Sequence, residues 1–340
     1  MIMKVLCVIS IFFSFNIVCI GQQLIKINED FIYNSPPFQQ CHASTIVEAS
    51  PGVFLSAAFG GTREGHPDVC IWMSRFENEN WSKPVLIADG IVNDTLRYPC
   101  WNPVLFKSKK GRIFLLYKVG LTVIQWWGMM RTSDDYGDTW ELPKKLPTGI
   151  LGPIKNKPVQ LEDGTILSPS SIETRENWKV HIEKSVDNGK TWMHIPIDKN
   201  TEFDVIQPSI LIHKDGKLQV LCRSKNNSVV QSFSSDNGNT WEPLTKTSLP
   251  NPNSGIDALT LRSGLHLVVY NPTVQGRNGR AKLNIAISED GLTWNDAFVL
   301  EDKETGEFSY PAVIEDSEGR IHITYTYNRL NIKHVVLKVI

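Results

Sequence analysis

The chain contains 340 residues, of which 41% are hydrophobic, and its 35 basic and 36 acidic side chains give a formal net charge of −1. It has no basic run or tail that would indicate binding to nucleic acid or to an acidic membrane surface. A chain of this length can bury a substantial core without disulfides or metals as structural supports.

The first 21 residues have the pattern of a secretory signal peptide. Lys4 provides a short positive segment, residues 5–17 are largely apolar, and Cys19-Ile20-Gly21 resembles a cleavage site. The apolar run is too short to predict a membrane span. A lipoprotein signal through Cys19 is an alternative, although Asn16 does not suit the usual apolar position. We therefore expect an exported protein, secreted or periplasmic, with one mature domain from residue 22 to residue 340.

Four cysteines remain in this mature chain, and their spacing does not match a metal site. Cys70 and Cys222 lie in apolar runs that favour buried free thiols, whereas Cys41 and Cys100 could pair or stay free. The sequence also lacks a phosphate loop and a Gly-x-Ser-x-Gly nucleophile elbow. We expect no metal and no cofactor.

Short apolar or alternating runs follow one another along the chain with Gly, Asn, Asp and Pro between them, as in an all-β protein. They include residues 44–47, 53–59, 112–118, 209–213, 218–223, 266–270 and 322–327. Asp163-Gly164, Asp215-Gly216 and Glu318-Gly319 predict hairpin turns. The last run, residues 334–340, is expected to pair with N-terminal strands and so remove an open sheet edge.

A motif of the form Ser-x-Asp-x-Gly-x-Thr-Trp recurs among these runs. Full copies begin at Ser133, Ser185 and Ser234, and a shortened copy begins at Ser288. Each copy follows a strand-like run, and a degenerate earlier unit is predicted around residues 71–81. Ser and Asp can hold a tight turn, Gly can adopt a positive φ, and Thr and Trp can begin the next strand. A repeat of about 50 residues predicts six such units in the mature chain.

The motif resembles the Asp-box, or BNR repeat, of the sialidase superfamily, over most of the mature chain. The resemblance implies an all-β, six-bladed β-propeller whose boxes lie at the periphery, so we assign the box residues no chemistry. That family uses three arginines on the substrate carboxylate, an Asp acid/base, and a Tyr nucleophile activated by a Glu. A neutral tyrosine suits this reaction because the substrate carboxylate repels an anionic nucleophile.

Four residues match this family set by strand order and spacing. Arg223 resembles the second arginine, Arg280 the third, Tyr310 the nucleophile, and Asp68 the acid/base. Simpler interpretations exist: the arginines could form surface ion pairs, Tyr310 could be a core residue, and Asp68 could cap a turn. Two arginines together at the family's spacing favour a functional site.

Two positions depart from the family pattern. His42 stands where the first arginine is expected, and Gln207 stands where the activating Glu is expected. Because Gln cannot accept a proton, Tyr310 would need another carboxylate, such as Glu173 or Glu64. His42 could be a buried core histidine, could bind a carboxylate when charged, or could act as general acid or base when neutral.

Further cationic and aromatic residues are expected at the mouth of the propeller, where they suit an anionic sugar. The additional substrate-binding candidates are Arg63, Arg97, Trp101 and Lys118, together with Gln207. Several of these, the tryptophan above all, could instead pack between blades.

The leading hypothesis is a monomeric, exported exo-glycosidase of sialidase type that releases a terminal acidic sugar from glycans. Asp68 would be the acid/base and Tyr310 the nucleophile, with an arginine clamp on the carboxylate. A second hypothesis is a propeller hydrolase or lyase on another acidic glycan, such as a rhamnose–glucuronate end, with His42 as the key residue. A third is a non-catalytic carbohydrate-binding propeller. The expected partner is an acidic glycan.

Overall fold

The computed structural model describes residues 23–197, 202–276 and 278–340. The predicted signal peptide, residues 1–21, lies outside the described residues. The described chain forms twenty-seven β-strands, most of them in six antiparallel sheets that are arranged as the blades of a propeller. The prediction of an all-β, six-bladed propeller is therefore confirmed. No helix in this described part is long and apolar enough to cross a membrane.

The strands follow one another blade by blade, beginning with β1 (Leu24–Phe31). Blade 1 contains β2 (Gln40–Ser50), β3 (Val53–Gly61), β4 (Cys70–Glu77) and β5 (Asn80–Trp81), with β6 (Val85–Ala88) also paired to β4. A separate hairpin consists of β7 (Ile91–Asn93) and β8 (Leu96–Arg97). Blade 2 contains β9 (Cys100–Lys107), β10 (Ile113–Gly120), β11 (Trp126–Ser133) and β12 (Lys144–Lys145).

Blades 3 to 6 repeat the same order. Blade 3 contains β13 (Val159–Gln160), β14 (Ile166–Glu173), β15 (Trp178–Ser185) and β16 (Met193–Pro196). Blade 4 contains β17 (Val205–Ile212), β18 (Leu218–Ser224), β19 (Ser228–Ser234) and β20 (Thr245–Pro250). Blade 5 contains β21 (Asp257–Thr260), β22 (His266–Tyr270), β23 (Lys282–Ser288) and β24 (Asn295–Asp302). Blade 6 contains β25 (Phe308–Glu315), β26 (Arg320–Tyr327), β27 (Asn331–Val339) and, as its outer strand, β1.

The two ends of the chain close the ring inside blade 6. β1 pairs antiparallel with β27 from Leu24 opposite Val339 to Phe31 opposite Lys333. This pairing confirms that the last strand pairs with an N-terminal strand, and it adds β1 to blade 6 as its outer strand.

Apolar side chains fill the spaces between neighbouring blades. Between blades 1 and 2, for example, Leu55 and Ile71 pack in one buried cluster with Leu105 and Leu115. Full burial of a side chain of this kind contributes about 1.5–3 kcal/mol. The cysteines at positions 41, 70, 100 and 222 are all buried, and Cys41 and Cys100 are not joined to each other.

The innermost strands of four blades share a bulge near their first residues. The bulged residues Ala43, Asn102, Gln207 and Tyr310 have φ angles of 55°, 29°, 56° and 54°, and the strand register shifts beside each. Three of them precede a proline, which cannot donate to the ladder. A bulge re-aims its side chain, so this repeated feature presents Gln207 and Tyr310 toward one end of the central axis.

The boxes form hairpin turns, as predicted, and these turns lie between the third and fourth strands of blades 2 to 5. In blade 4, Asp236 accepts hydrogen bonds from the Thr240 backbone N–H at 2.9 Å and its hydroxyl at 2.6 Å. These bonds lower the pKa of Asp236 to about 2. Gly238 has φ 75°, and an added Cβ would lie 3.3 Å from Leu167 of blade 3. Each box therefore both turns its own hairpin and packs on the preceding blade.

One detail of the box prediction is wrong. The Thr and Trp of each box lie in the loop rather than beginning the next strand. The fourth strand starts one residue after the box tryptophan in blades 3 and 5, and four residues after it in blades 2 and 4, where β12 and β20 begin at Lys144 and Thr245. The Thr hydroxyl donates a hydrogen bond to the box carboxylate, as Thr240 does to Asp236.

Candidate functional site at the mouth of the propeller

One end of the propeller carries the loops between the second and third strands of every blade, together with the bulged starts of the inner strands. The loops span residues 62–69, 121–125, 174–177, 225–227, 271–276 with 278–281, and 328–330. Because neighbouring strands are antiparallel, the boxes lie at the opposite end. We call the first end the mouth and the other the box end.

Tyr310 lies at the centre of the candidate site. Its hydroxyl oxygen accepts a hydrogen bond from Arg223 Nη1 at 2.6 Å and one from Gln207 Nε2 at 3.3 Å. The guanidinium carbons of Arg223 and Arg280 lie 5.8 and 5.6 Å from the centre of the Tyr310 ring. The structure thus brings together four sequence-predicted residues from three blades: Gln207, Arg223, Arg280 and Tyr310.

Each of these arginines has further fixed contacts. Arg223 Nε donates to the Asn253 side-chain oxygen at 2.8 Å, and its guanidinium carbon lies 5.5 Å from the Trp178 ring centre. Arg280 forms a 2.9 Å ion pair with Glu307 and donates to the Asn253 carbonyl at 3.2 Å. Such charge-assisted contacts hold both guanidinium groups in place before any ligand binds.

A third arginine, Arg329, completes the cluster and was missed from the sequence. It lies in the β26–β27 turn with φ 58°, and it pairs with Glu307 at 2.8 Å and with Glu64 of blade 1. Its carbonyl accepts a hydrogen bond from the Cys41 N–H at 2.8 Å, so it adjoins His42. The ion pairs outweigh burial and raise the pKa of Arg329. No family spacing marks this position; the only sequence signal is an arginine in a tight turn at the mouth.

His42 is at the site but without a charge. Its ring centre lies 4.1 Å from that of Tyr310, and its Nδ1 lies 2.8 Å from the Thr326 hydroxyl. Burial, followed by the positive charges of Arg329 and Arg280, holds the pKa of His42 well below its usual value. The imidazole is therefore neutral at physiological pH and does not replace the cation of the family's first arginine.

Asp68 belongs to the loop of blade 1 and is held within that loop. It accepts hydrogen bonds from the Thr62 N–H at 3.0 Å and the Thr62 hydroxyl at 2.6 Å, and it lies 2.7 Å from His66 Nδ1. Partial burial raises the pKa of Asp68, but these bonds outweigh it and leave the pKa below its usual value. None of the hydrogen bonds described for Asp68 joins it to Tyr310, although Glu64 of the same loop reaches Arg329.

The remaining predicted binding residues lie at the mouth or behind it. Arg63 is exposed in the Asp68 loop, and Arg97 donates to the Asp68 carbonyl at 3.2 Å and contacts the Cys70 sulfur at 2.7 Å. Trp101 is buried and donates to the Gly120 carbonyl, as the packing interpretation implied. Lys118 is fully buried with its ammonium on the Pro153 carbonyl, so it is not available to a ligand. Burial lowers the pKa of Lys118 to about 7.

The mouth also contains a carboxyl group with no polar partner among the described residues, that of Glu173 at the end of β14. Burial raises the pKa of Glu173 above its usual value, although Arg223 and Lys225 act in the opposite direction. In the described ranges, no group of three His, Cys, Asp or Glu side chains is placed to hold a metal ion.

Together, fold and site define a class: six-bladed propellers in which arginines from several blades surround a tyrosine at one mouth. A family model described as a BNR repeat-like domain matches residues 52–323, and the chain belongs to this family, within the sialidase superfamily. It is 29% identical to a sialidase of Paraclostridium sordellii over 246 residues, 63% of this chain and 59% of the relative. The chain therefore matches less than two thirds of that sialidase.

Solved structures show the same fold. A protein of unknown function from Dyadobacter fermentans superimposes with a TM-score of 0.77 at 16% identity, covering 93% of this chain and 99% of that one. The NanB sialidase of Streptococcus pneumoniae superimposes with a TM-score of 0.72 at 13% identity, covering 90% of this chain and 69% of that one. At these identities the likeness is one of architecture.

Proposed function

We propose that this protein is an exo-glycosidase of sialidase type that releases a terminal acidic sugar from glycans. The observation that carries the proposal is the Tyr310 hydroxyl at the mouth, 2.6 Å from Arg223 and flanked by Arg280. Guanidinium groups bind a carboxylate through paired N–H donors, so they would place the adjoining anomeric carbon next to the tyrosine.

In the proposed reaction the sugar carboxylate binds to Arg223 and Arg280. Arg329 supplies a third positive charge beside His42, which is itself neutral. Tyr310 attacks the anomeric carbon, and the departing glycosidic oxygen takes a proton from Asp68. Water, deprotonated by Asp68, then releases the sugar from the tyrosine. The low pKa of Asp68 suits the second step. The first step requires the substrate to cover the loop, because desolvation favours the protonated carboxyl.

His42 supports a second candidate function, hydrolysis or elimination on another acidic glycan. A neutral imidazole packed against Tyr310 and surrounded by arginines can take up a proton while the arginines hold an acidic sugar. Export to the cell exterior or periplasm remains part of the proposal for either function, since the substrates are extracellular glycans.

A fluorogenic sialoside assay tests the leading proposal. We expect turnover by the wild type, and a loss of about 100-fold or more in Tyr310→Phe and Asp68→Ala, because each removes a group that makes or breaks a bond. Tyr136→Phe is the matched control, since Tyr136 is exposed in the box of blade 2 at the other end of the ring.

Turnover that survives both substitutions would exclude this mechanism. Release of product from acidic plant or algal glycans that is lost in His42→Ala, without turnover of sialosides, would favour the second candidate. Glycan binding with no turnover on any substrate would indicate a carbohydrate-binding propeller.

A further inference from the structure

We propose that Glu173 is the general base for Tyr310 and supplies, from a neighbouring blade, the carboxylate that Gln207 lacks. This inference rests on the proposed function, because it assigns the group that takes the proton of the attacking tyrosine.

The strand geometry places Glu173 on the face of β14 that meets the start of β17. The Gln207 N–H donates to the Ser171 hydroxyl of β14 at 3.3 Å, so Ser171 faces the start of β17. Side chains two residues apart share a face of a strand, and Ile172 between them is exposed. Glu173 therefore faces the same side as Ser171, two residues nearer the mouth.

A row of contacts joins this position to the tyrosine. Glu173 pairs with Trp178 across the blade 3 hairpin, and the Trp178 ring lies 5.5 Å from the guanidinium carbon of Arg223. Arg223 in turn donates to the Tyr310 hydroxyl. Lys225, with its ammonium 3.9 Å from the Trp178 ring centre, adds a second cation on the same side. Glu173 therefore shares a sheet face with Trp178, which packs on the arginine that contacts the Tyr310 hydroxyl.

The Glu173 carboxyl also differs from those of Glu64, Glu307 and Asp68 in having no hydrogen bond or ion pair among the described residues. Glu64 and Glu307 are ion-paired with Arg329, and Asp68 is hydrogen-bonded within its loop. The Glu173 carboxylate makes no hydrogen bond or ion pair with any residue in the described part of the chain. Its raised pKa makes it a stronger base near neutral pH than a solvated carboxylate.

The proton balance of the step is complete with these residues. As the Tyr310 oxygen bonds to the anomeric carbon, its proton passes to the Glu173 carboxylate, directly or through one water. The bond to the glycosidic oxygen breaks, and that oxygen takes the proton of Asp68. In the second half of the reaction, water gives a proton to Asp68, and Glu173 returns its proton to the released tyrosine.

The experiment is a rescue between two neighbouring strands. We expect Glu173→Gln to lower kcat on a fluorogenic sialoside by about 100-fold or more, the usual effect of losing a general base. The double variant Glu173→Gln/Gln207→Glu should recover most of that loss, because it returns a carboxylate to the tyrosine from β17. Glu176→Gln, at an exposed position in the loop that follows β14, is the control.

A second readout does not depend on turnover. With tyrosine labelled at 13Cζ, the Tyr310 resonance of the wild type should show a titration step above pH ~4.5, from the neighbouring carboxyl, that is absent in Glu173→Gln. Wild-type kcat in Glu173→Gln, or a step that persists in this variant, overturns the inference. If the wild type turns over no sialoside, the proposed function fails, and the presence or absence of the step alone supports or overturns the placement of Glu173.

Discussion

The box end and the mouth hold their charged groups in opposite ways. At the box end, Asp236 bonds to groups within four residues along the chain, all in its own turn. At the mouth, Arg223 of blade 4 bonds to Asn253 and to Tyr310 of blade 6. The box is complete as soon as its own hairpin forms, whereas the mouth is complete only when the whole ring has assembled.

This difference separates stability from function within one molecule. A change at the box end should alter the free energy of unfolding and leave the reacting groups in place. A change at the mouth should alter substrate binding or catalysis, because its side chains hold one another in position across blades. Three further predictions test the separation, from the largest expected effect to the smallest.

Arg329→Met tests the mouth. It removes one cation from the anion-binding cluster, so we expect KM for an acidic substrate to rise about 10–100-fold, the effect of losing one or two charge-assisted hydrogen bonds. Steady-state kinetics on the sialoside measures it, with the binding of free sialic acid by calorimetry as a check. The matched control is Arg112→Met, which breaks an equally close ion pair with Asp134 at the box end. Equal effects from the two variants would contradict the comparison.

Acid should destabilise the propeller through the half of blade 6 that is nearer the box end. His334 is buried beside His322, and burial lowers its pKa to about 3. Below the ordinary histidine pKa, His334 is protonated in the unfolded chain but stays neutral in the folded chain. The free energy of unfolding therefore falls as the pH drops. One such histidine loses about 2 kcal/mol between pH 6.5 and pH 5.

Urea unfolding at pH 7 and pH 5 measures this loss. The wild type should lose more stability between these pH values than His334→Gln, which has no group to protonate at that position. An identical loss in both proteins would show that the pH dependence arises elsewhere.

Ser234→Ala tests the box end directly. Its buried hydroxyl accepts a hydrogen bond from the Gly238 N–H at 3.0 Å and donates to Asp236 at 2.9 Å. Losing both should cost about 1–2 kcal/mol of unfolding free energy and leave kcat unchanged. Urea unfolding and the sialoside assay measure the two quantities, and a fall in kcat without loss of stability would refute the separation.

The same difference explains what the sequence could predict. The boxes, the hairpin turns and the six blades follow from residues close together in the chain, and Asp236 and Gly238 hold the turn as their spacing indicates. Arg223, Arg280 and Tyr310 were found because their order resembles a known family. Arg329 was not found, because nothing near it in sequence shows that its turn meets Cys41 in space.

Which side chains contact one another was harder to predict than which residues lie at the mouth. In the sequence, Gln207 shows that the carboxylate expected at this position is absent. Only the contact between β14 and β17, made through Ser171, shows which strand can supply another carboxylate. The repeated residue-proline pairs at Asn102, Gln207 and Tyr310 were visible in the sequence, but their positive φ angles depend on the strands beside them.

The pairing of β1 with β27 has a consequence for the order in which the protein folds. The partners of the closing blade stand at opposite ends of the described chain, so the ring cannot be sealed until the last strand has been made. Joining such distant segments carries the largest loop-closure entropy in the molecule and is expected to come late. A chain that stops short of Asn331 would leave β1 and β26 with unpaired edges and would remain prone to aggregation. Only a chain that includes β27 can therefore complete blade 6.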